Sequence, residues 1–316
     1  MLTPEDLEKR LGYLTGSDTG AILGISKYKS AVDVYLEKIG MKAQPDISNN
    51  PRVKFGSMAE SIVTKYFEEA TGITVHTSSE MNNKGWFVSE SNPFMAANVD
   101  GLINASENDT YVFEAKTAGS TDGWGEQGEF IIPEHYLAQI AHYVSVVDAP
   151  GAYIAVLFTH TLEFRHYFYV RNHALESAII EKERAFWHDH VLPQIPPAPV
   201  GADDVNSLCH YMTESTPIVV SGPLETELYN YACANKQLKI WQDMKDKSKD
   251  AIALHMGTSD TVLDGFGKIM CTYKFNKGVE RLDGKLLKEE QPELYKKYTK
   301  ISEPVRTINV KVKVEE

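Results

Sequence analysis

Phe94-Met95-Ala96-Ala97-Asn98-Val99-Asp100-Gly101-Leu102-Ile103 and Thr110-Tyr111-Val112-Phe113-Glu114-Ala115-Lys116-Thr117-Ala118 decide how this chain is read. Both stretches suit β-strands, and the turn-prone residues 104–109 between them predict an antiparallel hairpin. Side chains alternate along a strand, so Glu114 and Lys116 share one face and Ala115 takes the other. With Asp100 on the first face, two carboxylates and an ammonium group gather there. Carboxylate oxygens suit a hard divalent cation, and a nearby lysine suits phosphate charge or water activation, so the set is equipped for metal-assisted phosphodiester hydrolysis. A surface hairpin with a weak ion pair is the plainer reading of the same residues. Against it stand the apolar neighbours Val99, Ile103, Val112 and Phe113, which predict burial, where an unpartnered carboxylate is costly.

Two helices flank this hairpin in sequence. Phe55 to Ala70 spaces Ala59, Ile62, Val63, Tyr66, Phe67 and Ala70 at helical intervals, and Thr71-Gly72 supplies a stop. Glu60 sits at the border of that apolar stripe, from which it could reach a site between helix and sheet; a solvated surface glutamate is the commoner fate. Pro133 to Val146 reads as a second helix with Leu137, Ile140, Ala141 and Val144 inward. Its Gln139 and Tyr143 are four apart and share a face, where they could touch substrate or order water, or be ordinary helix polar residues.

The order Glu60, Asp100, Glu114-x-Lys116, Gln139-x-x-x-Tyr143 resembles the PD-(D/E)xK nuclease core, and more narrowly the YqaJ-type viral recombinases, the group that includes the phage lambda exonuclease. The opening Arg10-Leu11-Gly12-Tyr13-Leu14-Thr15-Gly16-Ser17-Asp18 is similar to the start of that family. Ala21 to Tyr28, Tyr35 to Gly40, Phe55 to Glu60 and Val99 to Ile103 also fit its pattern, so the resemblance runs from about Arg10 to Pro197. It departs at Asn98, where lambda-like members carry a serine two positions ahead of the aspartate. The fold this implies is α/β, with a restriction-endonuclease-like mixed central sheet flanked by helices.

The resemblance implies that Asp100 and Glu114 hold one or two Mg²⁺ ions, for which Mn²⁺ could substitute, with the Ala115 carbonyl as a further ligand. Glu60 would complete the metal site. Lys116 would orient or deprotonate the attacking water, Gln139 would support the water or Lys116, and Tyr143 would line the site. Arg10 and Ser17 match positions that grip a 5′-terminal phosphate, a role suited to a guanidinium fork and a hydroxyl. A solvated helix arginine and a helix N-cap serine are the plainer alternatives. The implied activity is a 5′→3′ exonuclease on double-stranded DNA ends in phage-type recombination, working with a single-strand annealing protein and assembled as a ring trimer. Two other readings stay open: an endonuclease with the same core, and a DNA-end-binding scaffold without catalysis. Retention of Glu60, Asp100, Glu114 and Lys116 together disfavours the scaffold.

Composition sets bounds on these readings. A chain of 316 residues, 42% hydrophobic, can bury one large core or two smaller ones. It has no apolar run long enough to span a bilayer, and its first residues are acidic where a signal peptide would be basic, so the expected location is the cytoplasm of a bacterial host. Cys209, Cys233 and Cys271 are too few and too scattered for an iron-sulfur cluster or a disulfide framework. The net charge of -12 is uneven: residues 1–235 hold 15 basic and 31 acidic side chains, residues 236–316 hold 17 and 13. That C-terminal excess could draw DNA, or be a solvated mixed surface. His160, His166, His188 and His190 lack a third ligand at a telling spacing and read as ordinary histidines.

Pro193 to Pro199 predicts the end of a first unit, 1–200, after a helix over 172–191. Strands over 152–159 and 163–170 extend the hairpin into a mixed sheet. Beyond it, residues 201–221 read as a linker, 224–256 as a long charged helix, and 268–275 and 306–314 as strands. They make residues 201–316 a C-terminal α+β extension to which no activity is assigned.

Overall fold

The computed structural model describes residues 4–44, 49–105, 109–211, 218–275, 277–300 and 307–312. Residues 1–214 and 215–316 each form a compact unit. The first holds helix α1 (Pro4–Leu11), strand β1 (Leu14–Thr15), helices α2 (Gly16–Ile22), α3 (Ala31–Lys38) and α4 (Pro51–Thr71), and strands β2 (His76–Thr77), β3 (Trp86–Val88), β4 (Met95–Asn98), β5 (Gly101–Asn104) and β6 (Thr110–Ala118). Helix α5 (Glu134–Val147), strands β7 (Gly151–Phe158) and β8 (Glu163–Val170), and helices α6 (His173–Phe186) and α7 (Ala202–Tyr211) follow. Local signals set the boundaries: Asn50 caps α4 by accepting from the Arg52 N–H at 2.9 Å, Pro51 opens it, and Gly72 ends it at φ +71°.

A five-stranded mixed sheet runs β2-β5-β6-β7-β8, with β6 and β7 parallel and the remaining neighbours antiparallel. One face packs on α4 through Val63, Phe67, Phe113, Ala155 and Leu157. The other faces α5 through Val112, Ile140, Val144, Ile154 and Val156. A smaller sheet, β1-β4-β3, lies beside α5. The α/β class and the mixed sheet flanked by helices are as the sequence predicts.

The expected strand over 94–103 is two strands in two sheets. It divides at Val99-Asp100, because the backbone there bonds to an earlier segment: Val99 N–H donates to the Gly85 carbonyl at 2.9 Å and Ser78 N–H to the Asp100 carbonyl at 2.8 Å. Part of the expected turn, residues 106–108, lies outside the described residues. On α4 the apolar stripe is narrower than its sequence suggests: Ala59, Val63 and Phe67 are buried, whereas Ile62, Tyr66 and Ala70 are exposed. The helix after β8 ends in a π-turn over Trp187–Val191.

The stretch read as a linker holds α7. Leu208 and Tyr211 pack against the core one turn apart, and buried Asp204 accepts from the Val200 N–H at 2.8 Å, so the first unit runs past the proline cluster. The second unit holds α8 (Pro223–Met256), the antiparallel pair β9 (Thr261–Leu263) and β10 (Ile269–Thr272), and helices α9 (Gly284–Glu290) and α10 (Pro292–Tyr298). Residues 307–312 are not a strand; their alternating pattern has no ladder partner among the described residues, and the ends of that expected strand lie outside them. No helix among the described residues is long and apolar enough to cross a membrane.

Candidate active site

The β5–β6 register pairs Gly101 with Phe113. Asp100 immediately precedes that ladder, at the break between β4 and β5. Asp100 is fixed there by the Ala115 N–H, which donates to its Oδ2 at 2.9 Å. The N–H and C=O of a strand residue leave on the same edge, so the Ala115 carbonyl is also turned toward the Asp100 side. Glu114, buried, accepts at Oε1 from Lys116 Nζ and from Gln139 Nε2, the latter at 3.2 Å, while its Oε2 is buried with no partner. Gln139 Nε2 also lies 2.9 Å from the Tyr143 hydroxyl. Strand and helix periodicity and the Ala115–Asp100 bond thus bring Asp100, Glu114, Lys116, Gln139 and Tyr143 together.

Burial, and then the Asp100 charge, push the Glu114 carboxyl up to about 8. Burial also raises Asp100, against the pull of Lys116. Glu60, an exposed residue on α4, is pushed up to about 7 by partial loss of solvent around its carboxyl and by the Asp100 charge. For Lys116 burial favours the neutral amine, but Glu114 and Asp100 outweigh it and hold the ammonium above the usual lysine range. Burial and Glu114 raise Tyr143, so its hydroxyl keeps its proton.

This donor set fits a divalent cation: hard oxygens only, a Glu114 carboxyl whose charge burial and Asp100 disfavour, and one orphaned oxygen. Among the described residues no three His, Cys, Asp or Glu side chains already converge as a ligand set. His160, His166, His188 and His190 form no such group either; His166 Nε2 lies 3.1 Å from Gln127 Nε2 and edge-on to Phe67.

Arg10 and Ser17 meet at the start of α2. Arg10 Nη2 donates to Ser17 Oγ at 2.6 Å and to Thr15 Oγ1 at 2.9 Å. Gly16, between those hydroxyls, touches the carboxylate site, because a Cβ there would lie 2.5 Å from Tyr143 Cε1 and 3.0 Å from Gln139 Cγ. Glycine therefore lets α2 lie directly on α5, and it joins the Arg10–Ser17 cluster to the residues that touch Glu114.

Sequence reasoning missed the charges beneath this cluster. Asp18, buried, accepts from the Thr15 N–H at 3.0 Å and pairs with Lys29 at 2.6 Å and with buried Lys38 at 2.8 Å. Burial works against its charge, but Lys38, Lys29 and Arg10 hold its carboxyl well below the ordinary range. The Thr15-x-x-Asp18 spacing, a capping-box pattern, was the one readable signal. His142 was also missed. Fully buried, it bonds Glu183 at 2.8 Å through Nδ1 and the Ala96 carbonyl at 3.0 Å through Nε2, while Thr19 Oγ1 donates to Glu183 at 2.6 Å.

Residues 7–150 match the family model of the YqaJ-like viral recombinase domain. The chain is 28% identical over 302 residues to an uncharacterised protein, YqaJ, of Bacillus subtilis (strain 168), covering 93% of this chain and 89% of that protein. Among solved structures, the alkaline exonuclease LHK-Exo of Laribacter hongkongensis aligns at 16% identity and a TM-score of 0.48, over 61% of this chain and 94% of that one. A phage-related exonuclease from Haemophilus somnus 129PT aligns at 12% identity and a TM-score of 0.40, over 56% and 94%. Motif order and the family match agree: over residues 7–150 this chain is similar to the YqaJ-like viral recombinase domain.

Proposed function

We propose that this protein is a Mg²⁺-dependent deoxyribonuclease with a PD-(D/E)xK core, digesting double-stranded DNA from its ends 5′→3′ in phage-type recombination. The observation that carries the reading is the convergence of Asp100, Glu114 and Lys116 around an orphaned Glu114 oxygen, beside a cluster in which Arg10 and Ser17 offer donors to a phosphate. The recombinase-domain match over residues 7–150 supports it.

Asp100 and Glu114 would hold the cation, with Glu60 and the Ala115 carbonyl as further oxygen donors. When bound, the ion would activate water and stabilise the leaving oxygen. Lys116 stays protonated beside two carboxylates, so it donates to the attacking water or to a phosphate oxygen. Gln139 links Glu114 to Tyr143 and orders the face on which water would sit. Arg10 and Ser17 would take the terminal 5′-phosphate and so place the first phosphodiester over the carboxylates; that arrangement favours an end-directed enzyme over an endonuclease. The 3′ strand left behind is a substrate for an annealing partner, and a closed ring of three copies would keep the enzyme on its strand.

Glu114→Gln removes the charge and keeps the shape. We expect it to lower Mg²⁺-dependent cleavage by about 10³-fold or more while melting stays cooperative. Cleavage within about tenfold of the parent protein would remove Glu114 from the metal site and the reading with it.

A further inference from the structure

Among the described residues three buried side-chain polar atoms have no hydrogen-bond partner: Glu114 Oε2, Arg10 Nε and Trp86 Nε1. The first belongs to the carboxylate site. The other two are donors, and buried donors without acceptors are costly unless something supplies them. Residues on either side of Arg10 in the chain meet Trp86. Tyr13, three residues after Arg10, meets Trp86 edge-on with ring centroids 5.8 Å apart and planes at 75°. Lys9, one residue before Arg10, sets its ammonium 4.5 Å from the centroid of the same indole ring.

Trp86 is tied to β4, the strand that leads into Asp100. It heads β3 opposite Asn98, two residues before Asp100. Asn83 holds the preceding turn by donating from Nδ2 to the Trp86 carbonyl at 2.9 Å and accepting from the Gly85 N–H at 3.1 Å. Gly85 has φ +76°, and a Cβ there would lie 2.3 Å from the Val99 carbonyl oxygen, so only glycine lets this turn lie against the residue that precedes Asp100. The backbone that carries the indole is therefore fixed against the residues that precede Asp100, and the ring meets Lys9 and Tyr13.

An aromatic pair, a long exposed lysine and two orphaned donors beside a guanidinium–hydroxyl cluster are the parts of a nucleotide subsite: ring faces for a base, donors for its acceptors and for phosphate. They stand together in a chain whose net charge is -12. We propose that Trp86, with Tyr13 and Lys9, is a stacking platform for the terminal nucleobase of the DNA strand whose 5′-phosphate engages Arg10 and Ser17. Lys9 leaves the ring face for the phosphate as the base arrives, and the orphaned donors take acceptors from that nucleotide. The platform rests on DNA being the ligand and is independent of cleavage.

The test is binding of the full-length protein, without divalent metal, to two labelled duplexes that both carry a 5′-phosphate. In one the phosphorylated terminal nucleotide has its base; in the other it is an abasic tetrahydrofuran. Fluorescence anisotropy should show about fivefold or more weaker binding of the abasic end. Trp86→Leu should abolish that difference and Trp86→Phe should keep most of it. Equal affinity of the parent protein for both ends would overturn the platform, as would a base preference that survives Trp86→Leu or failure to bind either duplex. The parent protein supplies the first comparison alone, so a misfolded variant does not decide the outcome. A base preference without Mg²⁺-dependent cleavage would uphold the platform and remove the nuclease reading.

Discussion

Glu114 sits where a carboxylate is poorly accommodated by protein alone, with one oxygen bonded to Lys116 and Gln139 and the other without a partner. Its carboxyl moves from an ordinary 4.5 up to about 8, so the folded state holds the proton more tightly than the unfolded chain. Stability from this group is therefore fully present below about pH 4.5 and lost as pH rises through about 8. Glu60, raised to about 7, acts in the same direction over an overlapping window. In EDTA we expect the melting temperature to fall across that window, Glu114→Gln to flatten the fall, and Mg²⁺ to oppose it. A melting temperature in EDTA that rises steadily from pH 5 to 8, with no change in Glu114→Gln, would contradict the assignment. The shared face of Glu114 and Lys116 was legible in the sequence, because strand alternation fixes it; the place of Asp100 was not, because the strand breaks at Val99-Asp100 and the Ala115 N–H holds its carboxylate. The Asp18–Lys38 pair was not, since neither residue sits in a pattern that forecasts a buried charge.

Helices α2, α5 and α6 are joined by two devices with different failure modes. At Gly16 the constraint is space. Gly16→Ala forces a methyl group onto Tyr143 and Gln139 and should lower stability by about 1–3 kcal/mol, together with cleavage. Tyr143→Leu in the same chain should restore much of the stability and less of the cleavage, as urea titration and initial rates would show; no rescue would mean that the contact is not the cause. At His142 the constraint is charge. The Ala96 carbonyl can only accept, so Nε2 carries a hydrogen, and the imidazole and Glu183 share a further proton between them. Burial disfavours the imidazolium, but Glu183 outweighs it and raises His142, so the stabilising contribution is present at low pH and fades as pH rises through the raised value. Glu183→Ala should cost about 3–5 kcal/mol by urea titration at pH 6, because it leaves His142 and Thr19 buried without their acceptor. Periodicity located α5 and its inward Ile140, Ala141 and Val144, yet His142 looks like any other core position until Glu183, 41 residues on, is brought beside it. Element ends were less legible where tertiary bonds intervene, as at the break between β4 and β5.

Across the whole chain, acidic residues dominate up to Asn235 and basic residues lead after it. Residues 1–214 contain both hydrophobic clusters and every residue placed at the site, so we expect that fragment alone to melt cooperatively and to retain cleavage. A fragment that fails to fold would show that the second unit supplies stability as well. The proline cluster at 193–199 announced the boundary region, but the packing of α7 through Leu208 and Tyr211 was hidden because a single helical turn of apolar spacing resembles a polar linker with scattered hydrophobes. The most direct measurement incubates the full-length protein with Mg²⁺ and three DNAs: a linear duplex with 5′-phosphates, the same duplex without them, and a closed circle. Faster loss of the phosphorylated linear strand, starting at its 5′ end and leaving the circle intact, is the predicted result. Cutting of the circle, or digestion indifferent to the 5′-phosphate, would contradict an end-directed exonuclease guided by Arg10 and Ser17.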